Sequence, residues 1–125
     1  MPTKTPKTPT FTVQTEIGLE HVQNLVFAAF EGGSNYWYWG LRPDTKTTTI
    51  EFWHGELPFR AGRAVYFKDS EGDEHKLDLP AIRRGLNIMA EKYPCHMNDL
   101  VSENYDHDTA DVLLQCCVLG EVVYG

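Results

Sequence analysis

The sequence predicts an α+β domain: a small, mainly antiparallel sheet of about four to five strands packed against an N-proximal helix and a C-terminal group of two to three helices. Three observations lead there. The spacing of apolar residues switches along the chain between a period of two and a period between three and four. Strand-like and helix-like stretches are segregated rather than alternating, which disfavours a parallel βαβ sheet. And a chain of 125 residues, 42% hydrophobic and 12% aromatic, holds one core but is too short for two.

The elements follow in order. Residues 1–10 carry three prolines and four threonines without apolar periodicity, so they read as a disordered tail, leaving 11–125 as the single domain. Phe11 to Ile17 alternates apolar and polar residues and predicts a half-buried strand. Leu19, Val22, Leu25, Val26, Ala29 and Phe30 then share one helical face, and Gly32-Gly33 supplies a stop. In Ser34 to Gly40, period two assigns Tyr36 and Tyr38 to one face and Trp37 and Trp39 to the other. Thr47 to His54 predicts a further strand, and Ala64–Lys68 with His75–Leu79 a β-hairpin.

Pro80 suits a first helical turn, and Ile82, Leu86, Met89 and Tyr93 mark an amphipathic helix ending near Tyr93. Pro94 opens a short helix with Met97, Leu100 and Val101 inward. Asp108 to Asp111 resembles an acidic N-cap with its N3 partner, launching a last helix with Val112, Cys116 and Leu119 as its stripe and Gly120 as its end.

Charge and cysteine narrow the function classes. The net charge is -7, and residues 94–125 hold six acids and no Lys or Arg. Binding nucleic acid generally relies on clustered cations that release phosphate counterions, so this distribution argues against a general DNA or RNA binder. No stretch approaches the ~20 apolar residues of a membrane span, and the first ten residues lack the apolar core of a secretory leader. Three cysteines, two of them adjacent, fit no disulfide framework; reduced thiols and a cytoplasmic location are the expectation.

Candidate chemistry is sparse. No Cys-x-x-Cys pair, phosphate loop, dinucleotide fingerprint or nucleophile elbow occurs, so neither metal nor cofactor is expected and no catalytic residue is assigned. The local anomaly is aromatic: Tyr36, Trp37, Tyr38 and Trp39, then Trp53 beside His54, with Arg60 and Arg63 close in sequence. Aromatic faces and arginine forks anchor protein partners, and they also hold flat anions. Both readings stand beside the plainer one, that aromatics favour strands and fill small cores. Asp106 and Asp108 belong to the acidic end, while Gln115 and Glu121 sit among apolar neighbours and are expected to be partly buried.

Two stretches, Tyr93 to Leu100 and Asp106 to Gly125 with its DTADVLLQCCVLGEVVYG run, resemble a group of small bacteriophage and prophage proteins of obscure function. The resemblance extends to the helix ending Glu31-Gly-Gly and the aromatic segment after it. It implies an accessory protein that binds and blocks a host component, and it brings no catalytic residues with it. The leading expectation is therefore a non-enzymatic binder that inhibits a host bacterial protein, such as one of antiviral defence, through its acidic helical end and exposed aromatics. A second expectation is a protein that sequesters a nucleotide-like small molecule, with Arg60, Arg63, Arg83 or Arg84 for phosphate. A third is a small hydrolase acting on such a molecule, with His54 or His96 as base. The apolar C-terminal helix and aromatic strands also allow a homodimer.

Overall fold

The structure, a computed structural model, describes residues 8–45 and 56–125. Helix α1 spans Leu19–Ala28 and runs on into a π turn, Ala29–Gly33, that Ser34 closes by donating its N–H to the Ala29 carbonyl at 2.8 Å. Strand β1 is Tyr38–Pro43, β2 Val65–Asp69 and β3 Glu74–Leu77; a 3-10 turn at Leu57–Phe59 lies between β1 and β2. Three helices follow: α2 Leu79–Lys92, α3 Pro94–Val101 and α4 His107–Leu119.

The sheet is antiparallel with spatial order β1-β2-β3. Period two along β2 buries Val65 and Phe67 and turns Tyr66 and Lys68 outward; on β3 it buries Leu77. Between Trp39 and Arg42 the register slips at a bulge, where Gly40 takes φ +70, a left-handed value glycine adopts freely. The β2–β3 turn is tied by the Asp69 carboxylate, which accepts from the Glu71 and Asp73 amides at 2.9 and 3.1 Å. Such an Asx interaction is what Asp contributes to a tight turn.

The helices are capped by their sequence. Asp78 accepts from the Ala81 amide at 2.9 Å, with Pro80 in the first turn of α2. Asp106 accepts from the Thr109 amide at 3.0 Å, and the Thr109 hydroxyl faces back to the Asp106 amide, a reciprocal capping box. Gly120 ends α4 at φ +79. Helix α4 is the centre of the fold, touching α1, α2, α3 and β3, and its residues from Thr109 to Cys117 are buried save for a half-buried Asp111. A Cβ on Gly85 of α2 would lie 2.8 Å from the Cys117 Cα, so the missing side chain is what lets α2 and α4 touch.

Several expectations change. The sheet has three strands among the described residues rather than four to five. Phe11–Ile17 forms no strand among the described residues, and Phe11 and Val13 are exposed. Thr47–His54 falls in 46–55, outside the described residues, as does most of the tail. The α4 cap is Asp106, not Asp108, since the backbone turns from extended to helical two residues earlier. Val101 faces outward, while Leu100 fills the inward position of α3.

Candidate functional site

The aromatic segment separates into two environments because β1 begins only at Tyr38. Residues 34–37 form a turn after α1 rather than a strand, so the expected pairing of faces fails: Trp37 is buried, Tyr38 half-buried, and Tyr36 and Trp39 are the exposed pair. Tyr38 donates to the Phe30 carbonyl and packs edge-on against Phe30 and Phe67, which makes it a core residue. Burial, and then the Glu31 carboxylate, raise its hydroxyl above the ordinary tyrosine range.

The turn side is held by one carboxylate. Asp111, on α4, accepts from the Ser34 hydroxyl and the Trp37 indole N–H, both at 2.8 Å on the same oxygen, and from the Tyr36 hydroxyl on the other. Tyr36 is pushed up to about 12, first by loss of solvent around it and then by the hydrogen bond and negative charge of Asp111. One turn along α4, fully buried Gln115 accepts from the Val123 and Tyr124 amides at 2.7 and 2.8 Å and donates to the Tyr124 carbonyl at 3.1 Å. Tyr124 then stacks on Trp37, ring centroids 5.3 Å apart. Gln115 thus pairs the backbone of the last residues as a strand would, and the aromatic lid it holds covers Trp37. Glu121 is exposed, contrary to expectation, because the tail turns it outward after Gly120. Asp106 serves as a cap, and its carboxyl is held below the usual range chiefly by the Thr109 amide.

The sheet side is different. Cross-strand register places Lys68 beside Trp39 and Arg42 beside Tyr66, and each cation sits over its neighbour's ring, at 5.1 and 4.7 Å. Lys76 pairs with Tyr66 from β3, and Arg42 also meets Glu74. Two aromatics and three cations therefore share the outer sheet face with one acid, Glu74, which stands opposite Lys68 and pairs with Arg42, while Lys76 reaches Asp78 at 3.7 Å. Trp39, 53% exposed, is fixed further by its indole N–H on the Asp69 carbonyl at 2.9 Å. A hollow of about 430 Å³ opens beside Arg42, Tyr66 and Lys76, with Asp44 and Thr45 also in its wall.

The four arginines offered as alternatives for phosphate lie in separate places. Arg60 pairs with Glu56 at 2.9 Å, and Arg63 grips Asp44 with two bonds of 2.9 and 3.0 Å. Arg83 lines a groove between α2, α3 and the N-terminal segment, and Arg84 lies on α2 toward the Cys117 thiol. Trp53 and His54 lie outside the described residues. Asp108 stands exposed in the first turn of α4.

Imidazoles and thiols also take separate places. His75 Nε2 lies 2.7 Å from Asp69 Oδ2. Burial pulls the Asp69 carboxyl upward, but His75 and the two turn amides outweigh it and hold it below the usual range. His107 packs on Gly32 at the start of α4, and His96 lies on α3 near Asp106. Cys95 is exposed, whereas burial pushes the Cys116 thiol up to about 11 and raises Cys117 as well. Among the described residues, no three His, Cys, Asp or Glu side chains gather as a metal site, and no helix is long and apolar enough to cross a membrane.

Reading the sequence missed the roles of Ser34 and Asp111, and also the outward row Arg42, Tyr66, Lys68 and Lys76. The row was detectable, since strict alternation in Val65–Asp69 already sends Tyr66 and Lys68 to one face. The Asp111 cluster was not, because its members are 74 to 77 residues apart in the chain. No family model, curated protein or solved structure matches this chain.

Proposed function

We propose that the chain is a non-enzymatic binding protein that engages and inhibits another protein through the outer face of its sheet. The observation that carries this reading is the row Trp39, Lys68, Arg42, Tyr66 and Lys76, in which each aromatic is held by a cation from the neighbouring strand. Rigid aromatics with arginine are the side chains that anchor interfaces, because they bury large area and lose little side-chain freedom. Cations gathered on one face of an acidic protein favour a partner with an acidic surface. The acidic C-terminal side contributes less than its composition suggests, since Asp106 and Asp111 are engaged in capping and in the Trp37 cluster. The resemblance of the C-terminal run to bacteriophage and prophage proteins supports a host bacterial protein, such as a defence component, as the target.

Co-purification from host cells tests it. Wild-type protein should retain one host protein in near-equal amount, and a Trp39→Ala, Lys68→Ala double variant should lose it while melting as the wild type does. Retention by the folded double variant refutes this face as the interface. A second reading starts from the hollow beside Arg42, Tyr66 and Lys76, whose two cations would meet the phosphate of a nucleotide-like anion, with Asp44, held by Arg63, also in its wall. Heat-denaturing the purified protein and finding an intact nucleotide-like molecule by mass spectrometry, with no host protein, supports sequestration instead.

A further inference from the structure

The loop between α3 and α4 holds, among the described residues, the one non-glycine with a positive φ. Glu103 sits at φ 59, where α3 ends in a Schellman turn: its N–H meets the Leu100 carbonyl at 3.1 Å, and the Asn104 N–H meets the Asp99 carbonyl at 2.8 Å. Glycine is the usual residue there, because a Cβ is strained in the left-handed region. Glu103 offsets that strain with a contact glycine lacks: its carboxylate lies 3.0 Å from Nε2 of His21, on α1. The other ring nitrogen, Nδ1, lies 3.1 Å from the hydroxyl of Tyr105, two residues beyond Glu103, and the two rings meet edge to face. Asn24, exposed and one turn along α1 from His21, donates its side-chain N–H to the same hydroxyl at 3.4 Å.

The donors fix the direction of this chain. A carboxylate only accepts, so Nε2 carries the ring proton; Nδ1 of the neutral ring then accepts, and the Tyr105 O–H donates to it. Carboxylate, imidazole and hydroxyl therefore stand in the order that prepares a hydroxyl for attack. The ring takes the proton, the carboxylate behind it holds the tautomer and meets the imidazolium, and the Asn24 N–H lies beside the oxygen as its charge grows. Glu20, 3.5 Å from Nε2, adds a second carboxylate.

We propose that Tyr105 is a modification site, a hydroxyl that His21 activates to accept an acyl group from an uncharged, activated ester. A lone pair of the Tyr105 oxygen forms the bond to the carbonyl carbon while the O–H proton passes to His21 Nδ1. The C–O bond of the donor ester then breaks, and the departing oxygen takes that proton. One ester bond replaces another, and nothing is oxidised or reduced. The acyl class follows from charge: residues 11–40 and 94–125, which supply the cluster, hold no Lys or Arg, so these segments offer carboxylates and no such cation to a phosphoryl donor. The step is a single modification of the chain, and it is independent of the partner-binding reading, which concerns the sheet face.

Incubating the full chain with para-nitrophenyl acetate at neutral pH, and following each tyrosine by peptide mass spectrometry, tests the proposal. Tyr105 should be acetylated faster than the exposed Tyr36, whose hydroxyl is held by Asp111. His21→Gln should slow Tyr105 about a hundredfold or more, the contribution of a general base, and leave Tyr36 unchanged. Glu103 is a positioning residue, and Glu103→Gly distinguishes that role from a structural one. The variant should melt higher, because glycine relieves the turn, yet acetylate Tyr105 roughly tenfold or more slowly. Tyr105 reacting no faster than Tyr36 in the wild type overturns the proposal, a comparison that needs no variant to fold. Equal labelling of Tyr105 in the wild type and a folded His21→Gln overturns it as well. A Glu103→Gly chain that melts higher and labels Tyr105 at the wild-type rate overturns the role of Glu103.

Discussion

Replacing Asp111 separates two accounts of the Trp37 cluster: one carboxylate oxygen acting as a shared acceptor, or three independent surface contacts. In Asp111→Ala, the Ser34 hydroxyl and Trp37 indole N–H lose their acceptor while their residues stay buried. Each stranded donor costs ~1–3 kcal/mol, so the variant should lose about 2–6 kcal/mol. For a domain of this size each kcal/mol lowers Tm by roughly 4 °C, which predicts a fall of about 8–24 °C. Asp111→Asn is a different perturbation. Both buried donors converge on one oxygen, which the amide keeps, and its NH₂ can donate to Tyr36, whose hydroxyl then accepts. Only charge assistance is lost, about 1–2 kcal/mol. Thermal melts measure both variants, and absorbance titration of tyrosine adds a local readout. In the Asn variant the Tyr36 hydroxyl should titrate below about 12, part of the way back toward 10, because its loss of solvent remains. Equal destabilisation by Ala and Asn refutes the shared-acceptor account, as does an Ala variant that melts with the wild type.

Two further outcomes follow from the same packing. Gly85→Ala should destabilise by ~1–3 kcal/mol or more in denaturant melts, since its Cβ meets the Cys117 backbone at 2.8 Å, which cannot yield as a flexible side chain would; a neutral result contradicts the close α2–α4 contact. The carboxyls of Asp69 and Asp106 are both held below their ordinary range in the folded chain. Their contribution is therefore fully present above the unfolded carboxylate value of about 4 and is lost as pH falls through the folded values. Stability should drop below about pH 4 in the wild type, and Asp69→Asn and Asp106→Asn should each flatten that drop; an unchanged acid limb in both variants contradicts the assignment.

Most of the fold is legible locally. Pro80, the spacing from Ile82 to Tyr93, and Gly120 fix α2 and the end of α4, because caps and amphipathic faces are decided within a few residues. The β2–β3 hairpin is equally plain from its alternation and its Asp-Gly-rich turn. What failed was non-local. Phe11–Ile17 has the strand code, but pairing depends on whether an edge is in reach. The Tyr36–Trp39 faces were misassigned by reading Ser34 to Gly40 as one strand: residues 34–37 form a turn, so period two does not relate Tyr36 to Tyr38 or Trp37 to Trp39. Asp111 looked like the N3 partner of a helix cap at Asp108, and only the folded chain brings Ser34, Tyr36 and Trp37 to it. Gln115 was noted as an amide among apolar neighbours, but its partners, the amides of Val123 and Tyr124, could not be named from spacing.

The outer sheet face is tested most directly by hydrogen exchange on the protein alone and in complex with the host protein it retains. Binding through that face predicts slower exchange in Tyr38–Pro43, Val65–Asp69 and Glu74–Leu77, with α4 unchanged. Protection confined to α4 and the last residues, with the three strands exchanging as in the free protein, would contradict it.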